Sequence, residues 1–384
     1  MARRIALDSV CERKIPTLSS QYDGLIDYVD ISSVDNTEKR ILSIQCISSK
    51  VAPSRAKQLL EVGDILVSTV RPNLNAVAMV EKPTDNLLVG STGYCVLRCN
   101  DEIDRRYVFH FCQSPYFIDD MTSQATGASY PAVSAGIVKS STIPKHPIDV
   151  QKQIADRLDK VSKLITLRKT QLAKLDQLVK SRFVELFGTE AELDRWSCCT
   201  IGDVADVCVG VVIKPTQYYT DKGVPAFRSL NIGEMHVKDA DWVYFTEEGH
   251  QKNQKSVIRK NDVLVVRSGA PGTACVATEK YEGYNAVDII IAHPDNSKVN
   301  SVFLAAYTNM PHGMTQIREK TGGAAQQHFN VGGYKAMRLI MPPMELQEQF
   351  ATFVEQTDKS KFDIRKSLER LEVLRKSLMQ KYFG

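Results

Sequence analysis

Two stretches of this chain, residues 151–188 and 347–384, carry apolar side chains at helical spacing with no glycine or proline inside them before the closing Phe-Gly. That pattern predicts two long amphipathic helices. In the first, Leu158, Val161, Ile165, Leu172, Leu175, Val179 and Leu186 form a heptad-like seam, with Arg168 and Arg182 interrupting it. In the second, Val354, Ile364, Leu368, Leu371, Leu378 and Tyr382 do the same, with Thr357, Lys361 and Arg375 as breaks. At 1.5 Å per residue each helix is about 55 Å long. A stripe of that length needs a partner surface, and antiparallel pairing of the two helices supplies one. The alternative is that each helix folds back on the domain before it. Lys163, Lys169, Lys174 and Lys180 are either solvated faces or contacts to a partner or to phosphates.

The two helical segments align on each other without a gap. Gln151/Gln347, Gln153/Gln349, Ala155/Ala351, Leu172/Leu368, Leu175/Leu371, Phe187/Phe383 and Gly188/Gly384 are identical pairs. What precedes them repeats as well. Residues 25–31, 64–70 and 87–98 read as strands, with a turn at Gly90-Ser91-Thr92-Gly93. Residues 105–120 have helical spacing broken by Pro115, and a strand at 140–146 ends the first set. In the second set 262–267 is the strand, 302–310 the helix and 337–341 the strand before Pro342-Pro343. The expected fold is α+β: two similar mixed α/β domains, 1–147 and 189–344, separated by two long antiparallel helices, 148–188 and 345–384, paired as a coiled coil. An internal pseudo-two-fold repeat relates the halves. A period this long is a duplicated module, not a solenoid.

Composition narrows the class. The 384 residues are 43% hydrophobic and 24% charged, as in ordinary soluble proteins. No apolar run approaches the ~20 residues of a membrane span, and residues 1–17 lack a signal-peptide pattern. Nine scattered cysteines predict a reduced, cytoplasmic protein. The net charge of +4 is unevenly placed: roughly −1 in each globular part, about +5 on the first helix and about +1 on the second. Were the chain to bind DNA, globular parts so nearly neutral would imply modest affinity and partners that supply phosphate contacts. No phosphate-binding loop, dinucleotide fingerprint or Asn/Asp-Pro-Pro-Tyr motif is present. Cys95-x-x-x-Cys99 has no second ligand pair beside it, so a metal site is not expected.

Base readout favours Arg on guanine and Asn or Gln on adenine. Arg71, Asn73 and Asn75 follow the first domain's 64–70 strand, and Thr126, Ser129 and Tyr130 lie in a small polar loop. The matching places of the second domain hold Arg267 and Ser268, and Gln326, Gln327 and His328. For any one of these the plain alternative is an exposed loop residue with no DNA contact.

The ordered set of signals, occurring twice, resembles the specificity subunit of type I restriction–modification systems over nearly the whole chain. It comprises Ile201-Gly202-Asp203-Val204, the Gly/Asn-Asp-Ile/Val-Leu-Val strands at 63–67 and 261–265, and the Thr-Gly loops at 126–127 and 321–322. The Pro-bounded last strands and the Gln-x-Gln-Ile/Phe-Ala helix starts at 151–155 and 347–351 complete it. The first copy departs at its start, where Leu7-Asp8-Ser9-Val10 stands in place of the Gly-Asp pattern. The resemblance implies two target recognition domains, each reading half of a bipartite, asymmetric site in double-stranded DNA, with the helices as a ruler. It implies two modification subunits docked on the helices, which bring S-adenosylmethionine and methylate adenine N6, and up to two restriction subunits with ATP and Mg. This chain would then be non-catalytic and need no cofactor. It also places Arg228 and Asn231 in an early recognition loop. A reading from another class is a non-catalytic adaptor, two domains on a coiled coil that bind protein or carbohydrate.

Overall fold

The structure, a computed structural model, describes residues 3–321 and 328–384. The chain divides into two compact units, Met1–Gln171 with Ile364–Gly384, and Leu172–Asp363.

In the first unit a four-stranded mixed sheet has the order Gln45–Ser48, Leu25–Val29, Leu87–Ser91, Ala56–Leu59, with the central pair parallel. An antiparallel sheet follows the order Tyr94–Leu97, Ile65–Ser68, Val77–Met79. Arg4–Ala6 pairs with Thr142–Pro144. The continuous apolar run at 65–67 is explained by burial of Ile65, Leu66 and Val67 on both faces. The predicted break at Pro115 is real: Arg105–Phe111 ends, Ser114 caps the next helix, and Pro115 opens Pro115–Ser123. Gly90 and Ser91 belong to the strand, so the turn is shorter than the sequence reading placed it.

The second unit repeats this plan. Its mixed sheet runs Tyr219–Thr220, Val243–Phe245, Val224–Phe227, Asn285–Ala286, again with one parallel pair. Its antiparallel sheet runs Ala205–Val209, Ile289–Pro294, Val263–Val266, Ala274–Val276. Cys198–Thr200 pairs with Arg338–Ile340 as the counterpart of the terminal pair. The repeated Gly/Asn-Asp signature has a backbone cause. Gly63 and Asn261 have φ of 101° and 70°, a region that glycine and asparagine enter most readily. The aspartates that follow are buried and close the same turn, Asp64 accepting from the Glu61 N–H at 2.8 Å and Asp262 from the Arg259 N–H at 2.7 Å.

The long helices are Ile148–Phe187 and Met344–Phe383. In the first unit Ile154, Ala155 and Leu158, from the start of one helix, share a core with Met379 and Phe383, from the end of the other. In the second unit Val179, Phe183 and Phe187 share a core with Phe350 and Val354. Start beside end in each unit means antiparallel pairing. Thr357, Lys361 and Arg375, read as breaks, continue the seam: Thr357 and Lys361 are buried, and Arg375 is half-buried with Nη2 donating to Gln113 Oε1 at 2.6 Å. The repeated glutamines anchor the helix starts. Gln151 accepts from the Asp104 N–H at 2.9 Å and donates to the His146 carbonyl at 2.8 Å. Gln347 accepts from the Asn300 N–H and donates to the Pro342 carbonyl, each at 2.9 Å.

Candidate nucleic-acid interface

In the first unit the strand Ile65–Ser68 ends in a segment that must bend sharply. Arg71 and Asn75 both adopt left-handed backbone, φ 50° and 48°, around a short turn opened by Pro72. The loop after Pro115–Ser123 closes on itself through paired Thr126 and Ala132 backbone bonds of 2.9 and 3.0 Å. Gly127, at φ 102°, makes that closure possible, because a Cβ there would meet the Tyr130 carbonyl at 3.0 Å. The two segments are then joined: the Arg71 N–H donates to the Pro131 carbonyl at 2.7 Å, and the Val133 N–H to the Thr69 carbonyl at 2.9 Å.

This juxtaposition gathers most of the sequence candidates of the first domain. Arg71, Asn73, Thr126, Ser129 and Tyr130 are exposed, and the Arg71 guanidinium lies 4.7 Å from the centre of the Tyr130 ring. Tyr130 is 68% exposed. A cation held over an exposed aromatic ring is a surface that suits phosphates and base edges. Asn75 is the exception. It is buried, its amide donates to the Cys112 carbonyl at 2.8 Å, and its Oδ1 accepts from Lys39 Nζ at 2.8 Å. Its sequence position suggested a reader; its hydrogen bonds are all internal, because Lys39 and the Cys112 carbonyl lie against it.

The second unit brings together the equivalent segments. The Phe329 N–H donates to the Arg267 carbonyl at 3.0 Å, Arg267 Nε donates to the Phe329 carbonyl at 3.1 Å, and Ser268 Oγ lies 2.7 Å from His328 Nδ1. Arg267 also forms an ion pair with Asp288, which leaves its guanidinium mostly covered. Gln326 and Gln327 lie outside the described residues. Asn231 is a correction. It is fully buried; its Oδ1 accepts from the Arg228 N–H at 2.9 Å and its amide donates to the Ala240 carbonyl at 2.7 Å. Ser33 does the same for Asp30 in the first unit, its Oγ accepting from the Asp30 N–H at 3.1 Å. Arg228 is half-buried and donates to the Asp241 carbonyl. It borders the same segment as Arg267, since the Val287 N–H donates to the Phe227 carbonyl at 2.8 Å.

Three residues of this edge carried no sequence signal. Asp288 fixes Arg267 from 21 residues away, while Ile213 and Leu230 are 79% and 66% exposed. Apolar residues in short irregular runs read as buried strand, so their exposure is visible only in the fold. Of the seam residues, Leu158, Val161, Ile165, Val179 and Val354 are buried. Leu172, Leu175, Leu186, Ile364, Leu368, Leu371 and Leu378 are half-buried. Among the described residues no group of His, Cys, Asp and Glu could hold a metal ion, and no helix is long and apolar enough to cross a membrane.

Comparison with known proteins agrees with this duplicated plan. The family model for the type I restriction modification DNA specificity domain matches twice, over residues 6–177 and 194–374. The specificity subunit of the type I restriction enzyme EcoBI from Escherichia coli is 22% identical over 316 residues, 74% of this chain. The match spans 66% of that relative's length, just under two thirds. In fold, the chain is similar to a solved chain from work on complex assembly and conformational transition of the type I R-M system. The TM-score is 0.61 at 22% identity, covering 99% of this chain and 97% of that one. It is also similar to the type I restriction-modification S subunit from M. genitalium, with a TM-score of 0.60 at 15% identity and coverage of 100% and 96%. With both halves matched in sequence and the plan matched in fold, the chain belongs to the type I restriction modification DNA specificity family.

Proposed function

We propose that this chain is the non-catalytic DNA-specificity subunit of a type I restriction–modification complex. Each unit reads one half of a bipartite, asymmetric site in double-stranded DNA. The observation that carries this reading is the recurrence, in both units, of a strand end joined by hydrogen bonds to the segment that leads into a short helix, residues 131–133 in one and 328–329 in the other, with an arginine at the junction. The paired helices set the spacing between half-sites and carry two modification subunits, with restriction subunits joining them. Exposed Leu164 and Leu167 on the first helix, and Phe362, Val373 and Leu374 on the second, support docking of apolar partner surface there. S-adenosylmethionine belongs to the modification subunits, which methylate adenine N6, and ATP and Mg to the restriction subunits. The work is done in the cytoplasm.

The ruler is tested by adding seven residues to each helix. The seam repeats every 3.5 residues, so a whole heptad keeps its contacts in register. The insertion adds about 10 Å, close to the length of about three base pairs. Methylation-site sequencing with the modification subunit present should report a longer spacer between unchanged half-sites; an unchanged spacer defeats the ruler. A salt-dependent shift of DNA that requires the modification subunit separates this reading from a protein- or carbohydrate-binding adaptor.

A further inference from the structure

The first unit contains two thiols that face each other across paired strand backbone. Cys11 and Cys99 form an isolated antiparallel bridge, 88 residues apart in sequence, with their sulfurs 4.0 Å apart. The flanking hydrogen bonds define the kind of pair. The Glu12 N–H donates to the Arg98 carbonyl at 2.9 Å, and the Asn100 N–H to the Val10 carbonyl at 3.0 Å. Cys11 and Cys99 therefore exchange no bond themselves and occupy a non-hydrogen-bonded position. There the Cα atoms approach to about 4.5 Å, inside the range of roughly 4.4–6.8 Å that a disulfide spans.

We propose that Cys11 and Cys99 are a redox modification site that closes reversibly to a cross-strand disulfide. Cys99 is half-buried and the neighbouring Glu12 and Asn100 are exposed, so a small oxidant can reach the pair. The hydrogen bond from Cys99 pulls the Cys11 thiol below its ordinary value, with Lys139 adding to the effect, while the same bond pushes Cys99 up. Either sulfur of the pair can donate to the other, and the nearby Lys139 charge favours the thiolate on Cys11. With hydrogen peroxide, the Cys11 sulfur attacks one oxygen and the O–O bond breaks, giving a sulfenic acid and one water. The Cys99 sulfur then displaces the second oxygen as water. Two thiols lose two electrons and two protons, and one peroxide becomes two waters.

The bond would stiffen the support of the proposed reading loop. Lys139 Nζ donates to the Glu12 and Arg13 carbonyls at 2.7 and 3.1 Å, and Cys95 Sγ approaches the Ala135 carbonyl at 3.7 Å. The helix Ala135–Ser140, which follows the 126–132 loop directly, is therefore held by the two segments the disulfide joins. The modification itself does not depend on what the loop reads.

The test uses the full chain with exposed Cys46 and Cys198 replaced by serine, reduced and then treated with hydrogen peroxide. The expected result is loss of two hydrogens from the intact mass and one non-reduced peptide pair joining residues 11 and 99. The melting temperature should rise by several degrees, because the crosslink restricts an unfolded loop, and dithiothreitol should reverse both changes. Cys11→Ser and Cys99→Ser should each abolish the crosslink; the peptide map stands alone if either fails to fold. Oxygen added to separate sulfurs, a link through Cys95 or Cys112, or an unshifted melting temperature would overturn the proposal.

Discussion

Asp64 and Asp262 occupy one position in the two copies, yet their partners differ in a way that matters for pH. Asp64 is gripped by Arg98, with both Nε and Nη2 at 2.8 Å, whereas Asp262 meets His293 Nδ1 at 2.6 Å. The bond to Asp262, then the contact with Cys208, raises His293 from 6.5 to about 9. A raised histidine stabilises the fold fully below its unfolded value and loses that contribution as pH climbs toward 9. His312 is opposite: burial lowers it from 6.5 to about 4, so it is neutral in the fold and its contribution is lost as pH falls from 6.5 toward 4. The second unit should therefore be most stable near pH 6.5, with a slope of at most about 1.4 kcal/mol per pH unit on either side. Denaturation across pH should show His293→Arg flattening the alkaline limb and His312→Phe flattening the acid one; unchanged limbs would reject the assignment. At the same scale, Arg71→Ala and Tyr130→Ala should relax one half-site in methylation sequencing. Asn75→Ala should instead cost about 2 kcal/mol of stability, through an unpaired Cys112 carbonyl and loss of the side-chain bond to Lys39, whose bond to the backbone carbonyl of residue 75 remains.

Among the elements, the long helices show why a break in a pattern is not a break in packing. Phe350, Val354, Thr357, Lys361 and Ile364 follow one another at alternating four- and three-residue steps, so the lysine is carried into the seam by geometry. Only 6% of the Lys361 side chain is exposed, and its ammonium is held by Asp176 at 2.7 Å and Asp358 at 3.4 Å. Asp176 is itself 59% exposed and can return to water. Lys361→Met should thus be nearly neutral or stabilising, while Asp176→Asn, which leaves the covered cation with one distant partner, should destabilise by about 1–3 kcal/mol. Urea melts of the two variants decide this, and the reverse order would sink it. Gln151 and Gln347 were legible as repeats but not as anchors, since the N–H each accepts from belongs to a helix cap 47 residues away.

For the whole molecule, the duplication hides an exchange. Phe383 closes the second helix, yet it packs in the first unit against Tyr107 and Phe111, with ring centres 5.1 and 5.7 Å away. Phe187 closes the first helix and packs in the second unit against Phe303 at 4.9 Å. Phe383→Ala should therefore destabilise the first unit and Phe187→Ala the second, each by about 3–5 kcal/mol. Hydrogen exchange resolved along the chain would show loss of protection in the named unit; loss confined to the other would contradict the pairing.

The sequence by itself determined the two long helices, the repeat and several of the strands, because hydrophobic period, capping residues and left-handed glycine or asparagine positions are local properties of a few consecutive residues; the mixed sheet of the second unit was not legible in it. Tertiary structure decided which polar side chains face solvent. Arg71 and Asn75 sit four positions apart in similar backbone, but only Asn75 finds Lys39 and the Cys112 carbonyl, 36 and 37 residues distant. It also decided that Arg375 would meet Gln113, 262 residues away. Burial and hydrogen-bond satisfaction depend on such distant neighbours, which no local period encodes.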